Sequence, residues 1–349
     1  MSIIDILDLP HASTSPPAHL LFTILSGVTI HPRSWDGAAK KLPPQLSRYA
    51  PLASNPGLSK WLTSLVANEL RWIEDEDVKE RVWEEAGRRL AERCGRAAMP
   101  SVTRGFRIPL PRKENGEMLG GIASEDSSGG VDYITITLYE PSMTADNLGL
   151  KTWASSFLLA KRLGISKLPL GSRALELGSG TGLVGIAAAV VLGANVTLTD
   201  LPEIVPNLSH NVSLNSSNPH LPPSVGSMSV QVLDWTNQPI PEDEGDKYPL
   251  VLAADPLYSP AHPRLLVGVL EEWVRRSREA RVVVEFPLRE RYEDVREDFW
   301  RRMREGGFVG VEEGVEAGWD DWGGGGEEDE EDEEERKGKV RCWWGVYRW

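Results

Sequence analysis

The run Ala174-Leu175-Glu176-Leu177-Gly178-Ser179-Gly180-Thr181-Gly182-Leu183-Val184-Gly185 constrains this chain more than any other stretch. An apolar strand passes into a glycine-rich turn, and an apolar helix follows without a spacer. A turn of that kind brings backbone N–H groups close to a ligand at the carboxyl end of a sheet. Its setting is an open, mostly parallel α/β sheet.

The same letters carry two patterns. Gly180, Gly182 and Gly185 fit the G-x-G-x-x-G spacing of a dinucleotide site. Glu176, Gly178, Gly180 and Gly182 fit E-x-G-x-G-x-G, the turn that holds S-adenosylmethionine. Residues at the ends of later strands favour the second. Glu176 precedes the turn, where a carboxylate can meet the positive amino end of a methionine moiety, directly or through water, but would repel a pyrophosphate. Asp200 ends the next strand and can accept both hydroxyls of a ribose, in either cofactor. Asp234-Trp235 closes the third strand: the carboxylate can accept from an exocyclic amine while the indole stacks on adenine. Asp255-Pro256-Leu257-Tyr258 follows the fourth strand. All four features fall at carboxyl ends of strands, where open α/β sheets bind ligands. Each also has an ordinary reading. Glu176 could serve the helix N-terminus, Asp234 a loop, Trp235 packing, and Asp255 a turn or N-cap.

The rhythm around these residues is α/β from about Leu148 onward. Helices are expected over 153–163, 183–192, 204–214, 263–276 and 290–304. Strands are expected over 173–177, 195–199, 229–233, 249–254, 281–286, 308–312 and 340–349. Alternation of this kind predicts a doubly wound, seven-stranded Rossmann-like sheet. The last two strands lack an intervening helix, so the final strand is expected to lie antiparallel. Residues 1–110 read as a mostly helical N-terminal extension, with Leu58, Trp61, Leu62 and Leu65 at helical spacing and a second helix near 77–94. Residues 111–147 read as a β-hairpin and linker, with Tyr133–Tyr139 alternating as a strand and a partner near Phe106–Leu110. Residues 148–349 form the cofactor-binding domain. Within it, 323–337 reads as a disordered acidic loop of four glycines and nine consecutive acids, too polar to bury a core.

That acidic run also explains most of the formal charge. The chain has 38 basic and 52 acidic residues, a net of −14; setting aside the run leaves about −5, an ordinary surface. No basic stripe suited to a phosphate backbone is visible, so nucleic acid is not expected as a partner. Two cysteines, Cys94 and Cys342, make neither a disulfide framework nor a zinc spacing, and no metal is expected. They suit a reducing compartment. No secretory signal and no span long enough for a bilayer is evident, and the expected location is cytoplasmic.

Together Glu176–Gly182, Asp200, Asp234-Trp235 and the D-x-x-Y element Asp255–Tyr258 resemble the seven-strand protein-lysine methyltransferases. Trp153, in Gly149-Leu150-Lys151-Thr152-Trp153, matches a family tryptophan beside the cofactor. Asn207, Asn211 and Asn215 match an asparagine-spaced helix. Leu148–Trp153 and Asp255–Pro260, with the long N-terminal part, are most similar to fungal members that methylate translation elongation factor 2 or 3. The resemblance implies methyl transfer from S-adenosylmethionine to a protein lysine, by a chain expected to be a monomer. It implies cofactor contacts from Trp153, Gly178, Ser179, Gly180, Asp200, Trp235 and Ala254, and a lysine channel bordered by Asp255 and Tyr258. Glu176 and Asp234 join the cofactor residues from the strand-end reading. A small-molecule methyltransferase and a non-catalytic cofactor-binding adaptor share the same cofactor half. A nicotinamide oxidoreductase fits less well, since no Tyr-x-x-x-Lys spacing is present.

Overall fold

A computed structural model of the chain describes residues 4–29, 42–93, 101–110, 133–142, 148–165, 168, 171–219, 221, 224–319 and 339–349. The expected loop over 111–132 and the acidic segment 323–337 lie outside these residues. The chain divides into two compact units: Met1–Ser101 with Ser142–Asp146, and Val102–Pro141 with Asn147–Trp349.

The first unit is helical. It contains α1 (Ala18–Gly27), α2 (Pro44–Ser47), α3 (Gly57–Val66) and α4 (Glu76–Ala91). Leu21, Ile24 and Leu25 of α1 pack with Leu58, Leu62 and Leu65 of α3 and Val82 and Ala86 of α4. Sequence reading recovered α3 and α4 but not α1. The segment Ala18-His-Leu-Leu-Phe-Thr-Ile-Leu-Ser-Gly is apolar on most sides, so it shows little helical periodicity. Asp75 caps α4 through its side chain, which accepts from Val78 N–H.

The second unit opens with an antiparallel pair, β1 (Val102–Pro109) and β2 (Tyr133–Glu140), in which Phe106 faces Ile136. β1 therefore groups with the second unit although its residues fall within the segment read as a helical extension. The main sheet follows: α5 (Ala154–Leu163), β3 (Arg173–Leu177), α6 (Leu183–Leu192), β4 (Asn195–Asp200), α7 (Val205–Ser216), β5 (Met228–Val232), β6 (Leu250–Ala254), α8 (His262–Trp273), β7 (Arg281–Pro287), α9 (Glu293–Glu305), β8 (Val309–Trp319) and β9 (Lys339–Arg348). The strand order is β5-β4-β3-β6-β7-β9-β8. Strands β3 to β7 run parallel, and β9 runs antiparallel to both β7 and β8. The expected seven-stranded sheet with an antiparallel last strand is what forms.

Both faces are covered. α8 and α9 bury Leu266, Leu270, Phe299 and Met303 against Leu175, Val251, Val282 and Phe286. On the other face α6 is buried along its whole length, as its apolar sequence on every side requires. β8 is longer than the 308–312 expected. Gly314 and Gly318 interrupt its strand signal, but each lies where a Cβ would come within 2.9 Å of a side chain, Trp344 and Leu158 respectively. Close packing selected glycine there, and pairing with β9 overrides the poor local propensity.

Strand order reverses between β3 and β6, whose successors β4 and β7 lie on opposite sides. The crevice outside the carboxyl ends at this switch point is the place for a ligand.

Candidate active site

The glycine turn sits at that switch point. Gly178, Gly180 and Gly182 have φ of +65°, +56° and +91°, a region L-residues with a Cβ rarely adopt. The turn is tied to the end of β4. Ser179 N–H donates to Thr199 O (2.9 Å), Thr199 N–H to Ser179 Oγ (3.0 Å), and Gly180 N–H to Asp200 Oδ2 (2.7 Å). Asp200 Oδ1 accepts from Leu201 N–H (2.7 Å). Asp200 is thus aimed at the turn, with one further lone pair on each oxygen. Burial raises its pKa, against the pull of these two N–H groups.

The segment before α5 closes over the same turn. A Cβ on Gly180 would lie 3.0 Å from Gly149 O. Thr152 Oγ1 and Thr181 Oγ1 are 2.9 Å apart. Trp153 is the N-cap residue of α5, and its indole N–H donates to Leu148 O (3.2 Å). The Arg289 guanidinium stands 5.7 Å from that ring.

Trp235 comes from the far side. A Cβ on Gly178 would touch its ring at 3.4 Å. A Cβ would just be in contact there, and it is the φ of +65° that disfavours any side chain. Asp234 beside it has Oδ1 occupied by Thr236, accepting from both its N–H (2.8 Å) and its hydroxyl (2.7 Å). These bonds lower the Asp234 pKa and leave Oδ2 for other partners.

Glu176 does not open onto the crevice. It is 2% exposed, and a Cβ on Gly185 would collide with its Oε2. Its carboxyl therefore packs against the first turn of α6, where the helix N-terminus favours negative charge. Oε2 has no hydrogen-bond partner. Burial pushes the pKa up to about 8, despite Ser179 and Gly185 N–H nearby. The strand-end reading placed this side chain toward a cofactor amino group, directly or through water; in the structure it is buried beside Gly185.

Beyond Ala254, the last residue of β6, the chain turns sharply. Asp255 has φ +52°, an uncommon conformation for a residue with a side chain. Its N–H donates to Glu285 O of β7 (2.8 Å), which holds the turn. Asp255 keeps part of its surface open, yet burial of the rest pushes its pKa up to about 6, offset in part by Arg289. Tyr258 is 49% exposed. Burial, and then the charges of Asp200 and Asp255, raise its pKa. Sequence reading missed Arg289 and His262. His262 starts α8, with Nδ1 2.9 Å from Pro256 O and its ring against Tyr258 (4.3 Å) and Trp235 (6.0 Å). Neither residue belongs to a local pattern that would have found it. Among the described residues no cluster of His, Cys, Asp and Glu could hold a metal ion.

A glycine cradle at the switch point, an aspartate beside it and an indole over it describe a nucleoside-type cofactor site. The comparisons agree. Residues 135–305 match the family model of lysine methyltransferases. The protein-lysine N-methyltransferase rrg1 of Schizosaccharomyces pombe is 31% identical over 92% of this chain and 94% of its own length. The protein-lysine N-methyltransferase EFM2 of Saccharomyces cerevisiae is 33% identical over 71% of this chain, which spans 58% of that longer protein. The EEF1A lysine methyltransferase 3 of Xenopus tropicalis is 33% identical over 48% of this chain and 70% of its own. The chain belongs to the lysine methyltransferase family. It is a protein-lysine N-methyltransferase that uses S-adenosylmethionine as methyl donor.

Proposed function

We propose that the substrate is a translation elongation factor, elongation factor 2 or 3, and that the residues gathered at the switch point perform the transfer. The observation that carries this reading is the pairing of a part-open Asp255 with a half-exposed Tyr258 at the carboxyl end of β6. That acceptor side is open to solvent, as a lysine presented by a macromolecule requires. The likeness of 148–153 and 255–260 to fungal elongation-factor enzymes supports the target class, as does the name of the Xenopus relative.

Bound S-adenosylmethionine supplies a methyl group on a sulfonium, displaced in line by an amine. The residues that would hold it fit that chemistry. Gly178 and Gly180 present bare backbone on either side of Ser179, and Asp200 has acceptor capacity for two ribose hydroxyls. Trp235 offers a ring face for adenine, with Asp234 Oδ2 beside it. Trp153 and Ala254 line the remaining contact. Glu176 acts through the turn: its negative charge forms as pH rises toward 8, or sooner when a cation nearby favours the anion.

A free lysine amine has a pKa of about 10.4 and attacks only when neutral. Enclosure by Tyr258 disfavours the ammonium by desolvation. Asp255, kept anionic near neutral pH by Arg289, accepts an N–H of the amine and aims its lone pair. Rate then comes from alignment rather than from a nucleophilic side chain. The reading also takes the protein to be a cytoplasmic monomer that does not act on nucleic acid.

The test is methyl labelling of fungal extract, followed by mass spectrometry of methyl-lysine. Wild type should label an elongation factor, and Asp255→Ala and Gly178→Arg should not. Label confined to the low-mass fraction would make this a small-molecule enzyme. Donor binding without turnover on any extract would make it an adaptor.

A further inference from the structure

One side chain joins the two halves of the site, and nothing in the transfer chemistry above uses it. His262 is the first residue of α8, and its backbone N–H donates to Ser259 O (3.0 Å). Its Nδ1 lies 2.9 Å from Pro256 O. A carbonyl oxygen can only accept, so Nδ1 carries the proton and the neutral ring keeps its lone pair on Nε2. That bond pins the Pro256–Leu257 peptide, one residue beyond Asp255, which is held at φ +52°.

The ring itself is an aromatic hinge. It meets Tyr258 edge-on, with centroids 4.3 Å apart at 85°, and Trp235 at 6.0 Å and 72°. Trp235 in turn lies over Gly178. One imidazole therefore links the glycine turn, through Trp235, to both the backbone and the wall of the acceptor turn. Tyr258 is 49% exposed, and His262 packs edge-on against its ring.

We propose that His262 is a positioning residue for methyl transfer, holding the 255–258 turn through Pro256 O and the Tyr258 ring through edge-on contact. It sets the lysine channel relative to the adenosine side of the site. This rests on the reading of Asp255 and Tyr258 as the acceptor side.

Two partial replacements separate its two contacts. His262→Phe keeps a ring and loses the donor; His262→Asn keeps a donor near the Nδ1 position and loses the ring; His262→Ala loses both. Each is assayed for S-adenosylhomocysteine binding by calorimetry, and for initial rates of methyl labelling in fungal extract at saturating and limiting donor. The expected result is binding within about threefold of wild type for all three, with the rate at saturating donor down about tenfold or more in His262→Ala. Phe and Asn should each recover part of that loss. Selective 15N labelling should show the His262 ring as the Nδ1–H tautomer. The inference is overturned by a His262→Ala rate within twofold of wild type, by an Nε2–H tautomer, or by Phe and Asn restoring thermal stability without restoring rate. A wild-type protein that labels no extract protein sinks the lysine reading and this inference with it. Wild-type labelling with an unchanged His262→Ala sinks the inference alone.

Discussion

Gly178 and Asp255 both hold left-handed backbone, and the two positions answer to different needs. At Gly178 the need is for glycine's conformational freedom at φ +65°, with Trp235 filling the space that a side chain longer than a methyl would enter. Gly178→Arg adds strain and fills the cradle; S-adenosylhomocysteine binding in calorimetry should weaken by about 100-fold or more. At Asp255 a charged side chain is required in spite of the backbone cost. Its pKa, raised to about 6, makes it an anion at neutral pH and an acid below. The transfer rate should therefore fall as pH drops through about 6. Asp255→Asn should lower the rate at pH 8 by about 100-fold and flatten that acid limb. A pH–rate profile of both proteins checks it. Asp255 was legible from its place in D-x-x-Y after a strand. Arg289, which keeps it ionised, was not, because it reaches the site from the segment after β7.

The asparagines of α7 show an element acting as a strand. Asn211 accepts from Tyr139 N–H (2.8 Å) and donates to Tyr139 O (3.0 Å) and Thr181 O (3.0 Å). Four residues on, Asn215 repeats the pattern on Thr137, accepting from its N–H (3.0 Å) and donating to its O (2.7 Å). Asn207 adds a weaker bond to Tyr139 O (3.3 Å). Side-chain amides spaced one helical turn apart thus satisfy the free edge of β2, and Asn211 also anchors the glycine turn. Asn211→Leu takes the side-chain partner from Tyr139 N–H and Thr181 O and leaves Tyr139 O only the weaker bond from Asn207. It should cost about 2–4 kcal/mol in chemical denaturation and lower donor affinity as well. The spacing of the asparagines was visible in the chain. That they face a strand about 70 residues earlier was not, since pairing at that separation leaves no local periodicity.

Across the whole molecule, burial of acids makes stability depend on pH in an unusual direction. Glu176 titrates near 4.5 when unfolded and at about 8 when folded. Between those values the folded protein holds a proton that the unfolded chain has released, so stability falls as pH rises through this window and levels off above it. Glu285 of β7, raised well above the usual carboxyl range by burial, adds to the same trend. Glu176→Gln keeps the uncharged form at every pH. Its unfolding free energy should exceed that of wild type by little at pH 5 and by a growing margin toward pH 8, on the order of a few kcal/mol in chemical denaturation. Equal margins at both pH values would show that Glu176 is ionised in the folded state.

The sequence by itself determined the sheet, its antiparallel last strand, and the order in which Gly178, Asp200, Trp235 and Asp255 arrive at strand ends. Each follows from a local pattern: alternation, helical spacing, or a glycine run between an apolar strand and helix. The tertiary structure alone decided that Glu176 turns toward α6, that α7 completes the edge of β2, and that His262 and Arg289 enter the site. Those outcomes depend on which distant residues share a cavity, and burial, close approach and charge at such contacts are set only once the strands are assembled.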